Sequence, residues 1–194
     1  DETLPGIMPN VGRLHPITQT IEEICGIFSR MGLERVEGPE IETEFHNFTA
    51  LNIPLDHPSR ESFDTFYTES GFLLRSQTST VQIRIMQSRK PPLRVIAPGR
   101  VYRPDTVDAS HSFMFHQIEG LFVDDSITFS DLKGSLHQFL RELFGNGIKV
   151  RFRPHFFPFT EPSVEVDIQW GKKGGWLEIL GAGSVDPNVF KAVG

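Results

Sequence analysis

The chain has 194 residues, with 19 basic and 25 acidic side chains, a formal net charge of −6 and a single cysteine. This length suits one domain with a full hydrophobic core. The acidic balance argues against a nucleic-acid binder that relies on Lys and Arg contacts to phosphates. The lone Cys25 excludes a disulfide framework and a thiolate metal cluster, and no apolar stretch approaches the roughly 18 residues of a membrane span. The composition therefore predicts a cytoplasmic globular domain without a membrane partner.

The two ends of the chain predict a fragment of a longer protein. The chain begins at Asp1 rather than Met, and it stops shortly after Asn188, where a helix is expected to begin. Residues 1–13 contain an extended stretch punctuated by Pro and Gly, and we expect them to connect the domain to a preceding region. We expect residues 14–194 to form one domain that is incomplete at its C-terminus.

Apolar residues spaced three or four positions apart predict three helices. The first covers about 16–31, and Cys25 lies on its apolar stripe, which suits either the core or a subunit interface. The second helix begins near Ser79. The third runs from Ser130, a good N-cap residue, to Gly145.

Strands are predicted at 94–103, 112–123, 164–170 and 176–180, and residues 45–60 are expected to be irregular. Strands that follow strands, with helices between the groups, are typical of a fold with segregated elements. The pattern therefore predicts an α+β fold in which an antiparallel sheet is flanked by helices.

The predicted strand at 112–123 carries the most informative pattern of polar residues. Period-two alternation places one set of side chains on a single face: His111, Phe113, Phe115, Gln117 and Glu119. An amide and a carboxylate on the same face suit a ligand site, because such groups need partners when they are buried. A polar edge that faces solvent is the alternative interpretation.

Two further groups of side chains are candidates for contact with a ligand. Arg94, Arg100 and Arg103 lie on the neighbouring predicted strand, and a guanidinium binds carboxylate or phosphate through two hydrogen bonds. Phe157 and Phe159 point to the same side of an extended chain, with a spacing that suits edge-to-face contact with an apolar or aromatic group. Because the chain has 17 Phe, ordinary core packing is the alternative for this pair.

Other kinds of chemistry lack a motif in this sequence. His111 and His116 are five residues apart and face opposite sides of a strand, so the histidine spacing does not predict a metal site. The sequence contains neither the Gly-x-Ser-x-Gly motif of serine hydrolases nor the phosphate-binding Gly-x-x-x-x-Gly-Lys loop. The residues thus predict a site of arginines, an amide, a carboxylate and aromatic walls.

Ordered blocks of sequence extend along nearly the whole chain. They are Leu14-His-Pro16, Gly38-Pro-Glu40, Phe45-His-Asn-Phe-Thr-Ala-Leu-Asn52, His57-Pro58, Asp64-Thr-Phe-Tyr67, Leu74-Arg-Ser-Gln-Thr-Ser79, Pro98-Gly-Arg-Val-Tyr-Arg103, Phe115-His-Gln-Ile-Glu-Gly120, Phe157-Pro-Phe-Thr-Glu-Pro162 and Glu178-Ile-Leu-Gly-Ala-Gly183. Together these blocks resemble the catalytic domain of the alpha subunits of bacterial phenylalanyl-tRNA synthetases, a family of class II aminoacyl-tRNA synthetases.

The resemblance implies the class II fold, with residues 14–194 as the catalytic domain. The first helix and Pro39 would correspond to motif 1, which helps to build a subunit interface in the family. Residues 94–123 would correspond to motif 2, whose loop and arginine hold ATP. Motif 3, a Gly-rich segment whose arginine contacts the γ-phosphate of ATP, does not occur before Gly194. We therefore expect a class II core that is truncated before motif 3.

The resemblance also implies an activity and its partners. The family activates L-phenylalanine with ATP and Mg²⁺ to give phenylalanyl-adenylate, and then transfers the aminoacyl group to tRNA(Phe). It does so as an α2β2 heterotetramer, so a β subunit is the expected partner. The resemblance leaves the Mg²⁺ ligands unassigned.

The matching motifs imply the roles of individual residues. Arg103 would contact the α-phosphate and the substrate carboxylate, Asp105 would contact adenine, and His111 would lie near the triphosphate. Arg103 and His111 are thus the expected catalytic residues, and all three are expected to bind ATP. The phenylalanine pocket would be formed by Thr78, Ser79, Gln82, Gln117, Glu119, Phe157, Phe159, Gly181, Ala182 and Gly183.

Within that pocket, Ser79, Gln117 and Glu119 would hold the ammonium group, and Phe157 and Phe159 would sandwich the ring. The three residues from Gly181 onwards would allow close approach of the backbone to the ligand.

The chain departs from the family pattern at two site positions. Gln77 stands where many family members have His, and Asp105 stands where class II enzymes more often have Glu. Glutamine forms hydrogen bonds but cannot carry a positive charge. Two alternative functions are a non-catalytic module that binds an amino acid or adenylate, and an unrelated hydrolase that uses His111 and Glu119.

Overall fold

The computed structural model describes residues 6, 11–108, 111–171 and 174–194. The helices in this part of the chain are α1 (Pro16–Arg30), α2 (Glu44–Asn47), α3 (Ser79–Ser88), α4 (Phe129–Phe144) and α5 (Pro187–Val193). The strands are β1 (Glu34–Arg35), β2 (Ile41–Glu42), β3 (Leu73–Leu74), β4 (Leu93–Tyr102), β5 (Met114–Val123), β6 (Val150–Phe157), β7 (Thr160–Trp170) and β8 (Gly175–Val185). Most of the predicted connector over 1–13 lies outside the described residues. Among the helices that are described, none is long and apolar enough to cross a membrane.

Two three-stranded sheets carry most of the strand residues. In the first sheet, β4 and β5 pair antiparallel over their whole length, with Ala97 opposite Glu119 and Gly99 opposite Gln117. The two-residue strand β1 pairs with β4 in parallel, and the pairing of the long strands β4 and β5 confirms the predicted antiparallel sheet. The second sheet is an antiparallel meander of β6, β7 and β8, and β2 and β3 form a separate short ladder.

One hydrophobic core joins both sheets to α1 and α4. Its buried members are Ile27, Phe28, Leu33, Ile96, Leu136, Phe139, Leu140, Val164, Val166 and Ile168. A second cluster lies on the opposite face of β4, where Val81 of α3 packs against Val95 and Ala97. Because side chains alternate along a strand, α3 lies on the same face of β4 and β5 as Gln117 and Glu119.

Most of the predicted elements are confirmed. α1 and α3 lie where the apolar spacing places them, and β4, β5 and β7 include the strands predicted at 94–103, 112–123 and 164–170 to within one or two residues at most boundaries. The strand predicted at 176–180 is part of the longer β8. Cys25 is 4% exposed, so the core interpretation of this residue is confirmed, and burial raises the pKa of its thiol.

Two parts of the prediction are wrong. Residues 45–60 are not irregular throughout, because they include most of α2 and two short 3-10 turns, Thr49–Leu51 and Pro58–Arg60. The predicted elements do not include β6. Its alternation of Val150 and Phe152 with arginines is interrupted by Pro154, which is unfavourable inside a sheet.

The start of α4 also differs from the prediction. Its N-cap is Thr128 rather than Ser130. The Thr128 hydroxyl accepts a hydrogen bond from the Asp131 N–H at 3.3 Å, and the Asp131 carboxylate accepts one from the Thr128 N–H at 2.8 Å. These bonds form a capping box, and hydrogen bonding to Thr128 holds the pKa of the Asp131 carboxyl below its ordinary value.

Replacement of the cap tests this assignment. Thr128→Ala is expected to lower the free energy of unfolding by about 0.5–2 kcal/mol, because an N–H at the start of α4 loses its partner. Ser130→Ala is the matched control and should change it by less than about 0.5 kcal/mol, since Ser130 lies exposed in the first turn. Urea denaturation measures both variants, and equal losses would contradict the assignment.

Candidate active site

Glu119 occupies the centre of the polar face of β5. Its carboxylate accepts hydrogen bonds from the Ser79 hydroxyl at 2.8 and 2.6 Å and from the Gln82 amide at 2.7 Å. No Lys, Arg or His side chain within the described ranges forms an ion pair with it. Desolvation raises the pKa of Glu119, and these hydrogen bonds oppose the increase. The groups that donate hydrogen bonds to this carboxylate are therefore neutral, and the buried guanidinium of Arg75 interacts with it electrostatically without forming an ion pair.

The residues at the start of α3 donate hydrogen bonds to two positions on this face of β5, Gln117 and Glu119. The Thr78 N–H donates to Gln117 Oε1 at 3.1 Å, and the next residue contacts Glu119. Arg103 Nε donates to the Ser76 carbonyl at 3.3 Å, and its guanidinium lies over the Phe115 ring at 5.1 Å. The predicted face of β5 and the start of α3 thus form one group, with a cationic side chain near its end.

The other two arginines of β4 do not join this group. Arg94 pairs with Asp124 at 3.2 Å, and Arg100 pairs with Glu40 at 2.8 Å. Both positions alternate with Ala97 and Gly99, so they lie on the opposite face of the strand from Glu119. The prediction that all three arginines are available to one anion is therefore wrong, and Arg103 alone of the three lies on the Glu119 face.

Sequence reasoning missed Arg75, which is 2% exposed. Its Nε donates to the Arg100 carbonyl at 2.8 Å, and its Nη1 donates to the carbonyls of Gly38 and Pro39 at 3.1 and 3.3 Å. A Cβ at position 99 would lie 1.9 Å from Arg75 Nη2, so this approach requires glycine. A glycine inside a predicted strand was the signal for such a close contact.

Phe157 is the last residue of β6 and Phe159 lies in the turn that leads into β7, so the pair does not lie on an extended chain as predicted. Their rings are stacked, with centroids 5.9 Å apart and an interplanar angle of 16°. Phe157 covers Gly181, where a Cβ would lie 2.5 Å from the ring. Ala182 packs against the core shared by the two sheets, so any contact of this residue with a ligand on the Phe157 side involves its backbone.

The loop after β4 carries the remaining predicted residues. His111 Nδ1 lies 2.9 and 3.0 Å from the two carboxylate oxygens of Asp108, which raises the pKa of His111. Asp105 is exposed and also favours the protonated form of His111.

Gln77, which precedes α3, contacts another part of the chain. Its side-chain amide donates a hydrogen bond to the Asn47 carbonyl at 3.1 Å.

This fold and this site define a class of protein. The sequence matches the family described as "tRNA synthetases class II core domain (F)" over residues 1–194, and the chain belongs to that family. The fold is also similar to that of a pyrrolysyl-tRNA synthetase from Desulfitobacterium hafniense. That comparison has a TM-score of 0.66 and 16% identity, and it covers 92% of this chain and 62% of the other. The class II fold expected from the sequence is confirmed.

Curated relatives are similar over the whole chain. The sequence is 57% identical to the "Phenylalanine--tRNA ligase alpha subunit" of Syntrophus aciditrophicus, covering 100% of this chain and 60% of that protein. It is 55% identical to the protein of the same description from Nostoc punctiforme, covering 100% of this chain and 58% of that protein. The chain thus spans about 60% of the length of the relatives it matches.

Glu119→Gln is expected to stabilise the protein in the absence of substrate. Because the folded-state pKa is raised, the folded protein binds this proton more tightly than the unfolded chain does. Stability is therefore lost as the pH rises from the ordinary glutamate value of about 4.3 through the raised value. The amide does not titrate, so the melting temperature of the variant should increasingly exceed that of the wild type across this interval.

Thermal melts between about pH 4 and 8 measure this difference. Glu61→Gln is the control, because Glu61 is exposed and replacement of an exposed surface side chain usually changes stability little. A Glu119→Gln variant that is less stable than the wild type throughout this range would contradict the account of the carboxylate.

Proposed function

We propose that this chain is the catalytic part of an enzyme that activates L-phenylalanine with ATP and transfers it to tRNA(Phe). The relatives that match the whole chain are described as alpha subunits of phenylalanine–tRNA ligases, which supports this substrate. Residues 14–194 form the catalytic domain in this proposal. The enzyme acts in the cytoplasm, with a β subunit as partner in an α2β2 heterotetramer.

The observation that carries the proposal is the environment of Glu119. A carboxylate with a raised pKa and neutral hydrogen-bond donors gains most from a cationic ligand, because a nearby positive charge stabilises its ionised form. The ammonium group of an amino acid supplies that charge. Arg103 lies on the same face and offers a guanidinium to the substrate carboxylate and the α-phosphate. The two groups thus match the two charges of an amino acid.

The aromatic pair accounts for the choice of side chain. Phe157 lies over Gly181 and stacks with Phe159, and aromatic rings bind a further ring through stacked or edge-to-face contacts. An apolar pocket of this kind favours phenylalanine over tyrosine. The preference is moderate, because such pockets reject an added hydroxyl less strongly than polar pockets reject a missing one.

The chemistry requires positioning more than a protein nucleophile. The phenylalanine carboxylate attacks the α-phosphate of ATP, the bond to the β-phosphate breaks, and pyrophosphate leaves with its electrons. Arg103 stabilises the charge on the α-phosphate, His111 lies near the triphosphate, and Asp105 contacts adenine. A ribose hydroxyl of the tRNA then attacks the carbonyl carbon of the adenylate, and AMP leaves.

Mg²⁺ would enter with ATP, since this ion binds mainly through substrate phosphates and one or two carboxylates. The described residues bring no three His, Cys, Asp or Glu side chains together as a ready-made metal site. We therefore assign no residue of this chain to the metal, and no step above depends on it.

Exchange of pyrophosphate into ATP tests the proposal, using the full-length protein together with its β subunit. Exchange should require L-phenylalanine, and Arg103→Ala should reduce it by on the order of 100-fold or more, because a charge contact in the transition state is lost. Arg94→Ala is the matched control and should leave exchange unchanged, since Arg94 pairs with Asp124 on the opposite face. Exchange that does not depend on phenylalanine, or full activity of Arg103→Ala, would contradict the proposal.

A further inference from the structure

Asn47, the last residue of α2, is completely buried, and it binds a segment that lies far away in the sequence. Its side-chain amide donates to the Ser76 hydroxyl at 3.0 Å, and its Oδ1 accepts from the Ser76 N–H at 3.1 Å. Its backbone carbonyl accepts from the Gln77 side chain at 3.1 Å. Three hydrogen bonds therefore hold two consecutive residues in place.

The residues held in this way connect directly to the candidate active site. The Ser76 carbonyl accepts from Arg103 Nε at 3.3 Å. Two residues later, the Thr78 N–H donates to Gln117, and the Ser79 hydroxyl donates to Glu119. The groups proposed to bind both charges of the amino acid thus contact a single short segment, and Asn47 fixes the beginning of that segment.

The segment is anchored on one side by Arg75, whose backbone pairs with Glu40 and Tyr102 and whose guanidinium donates to three backbone carbonyls. Residues 75–78 belong to neither a helix nor a strand. Thr78 is the N-cap of α3 but makes no capping hydrogen bond with its side chain. The bonds from Asn47 therefore hold Ser76 and Gln77, which lie between the anchored Arg75 and the start of α3, and leaving buried polar groups without partners is unfavourable.

We propose that Asn47 is a positioning residue of the active site, which acts through Ser76 on Ser79 and Arg103. Asn47 itself does not touch the substrate. Asn47 fixes the distance between the Ser79 hydroxyl, which donates to Glu119, and the Arg103 guanidinium. This distance must match the separation of the ammonium and carboxylate groups of one amino acid. This inference rests on the function proposed above.

Steady-state pyrophosphate exchange by the full-length enzyme with its β subunit tests the role of Asn47. Asn47→Ala should lower kcat/KM for phenylalanine by on the order of 10- to 100-fold, because small displacements of positioned groups strongly lower the reaction rate. Ser76→Ala removes one of the two side-chain bonds and should give a smaller loss. Thr65→Val is the matched control, since Thr65 is equally buried but donates to the Ser59 carbonyl. It should leave kcat/KM unchanged even where it lowers the melting temperature.

A double-mutant cycle separates positioning from general damage to the fold. In a Ser79→Ala background, Asn47→Ala should lower kcat/KM by a clearly smaller factor than it does in the wild type, since one of the two groups that it positions is already absent and the two effects are not additive. Equal losses in both backgrounds, or an unchanged kcat/KM in a folded Asn47→Ala enzyme, would overturn the inference. If Asn47→Ala does not fold, Ser76→Ala serves in the same cycle, and an additive result again overturns it. A wild-type enzyme without phenylalanine-dependent exchange would instead contradict the proposed function.

Discussion

The carboxylate of Glu119 is a negative group that its own chain surrounds with neutral donors. The Ser79 hydroxyl and the Gln82 amide satisfy its hydrogen bonds, but neither compensates the charge, and desolvation raises its pKa. Such an arrangement is unfavourable for the free protein and favourable for a complex with a cation. The rest of the candidate site is arranged around this group.

Three structural features bring the donors to Glu119. The register of β4 and β5 places Glu119 opposite Ala97, a small residue on the face that α3 covers. Arg75 fills the space left by Gly99 and joins β4 to the backbone of Gly38 and Pro39. Asn47 holds the segment that leads into α3. Each of these contacts connects parts of the chain that are distant in sequence, so the site depends on the tertiary fold as a whole.

Local periodicity explains what the sequence could predict. The alternation along β5 correctly placed Phe115, Gln117 and Glu119 together, and the apolar stripes located α1 and α3. The faces of Arg94 and Arg100 follow from the same alternation, but only once the pairing register relates β4 to β5. The stacking of the Phe157 and Phe159 rings depends on a turn that extended geometry does not anticipate. The buried contacts of Arg75 and Asn47 depend on partners that no local pattern reveals.

The most direct test of the central claim is calorimetric titration of the complete enzyme with two non-hydrolysable adenylate analogues. One carries the phenylalanyl group, and the other carries the same group without its ammonium. The account predicts that removal of the ammonium weakens binding by about 100-fold or more, because Glu119 then loses its charged partner. Equal affinity for the two analogues would contradict the claim that this carboxylate recognises the amino group of the substrate.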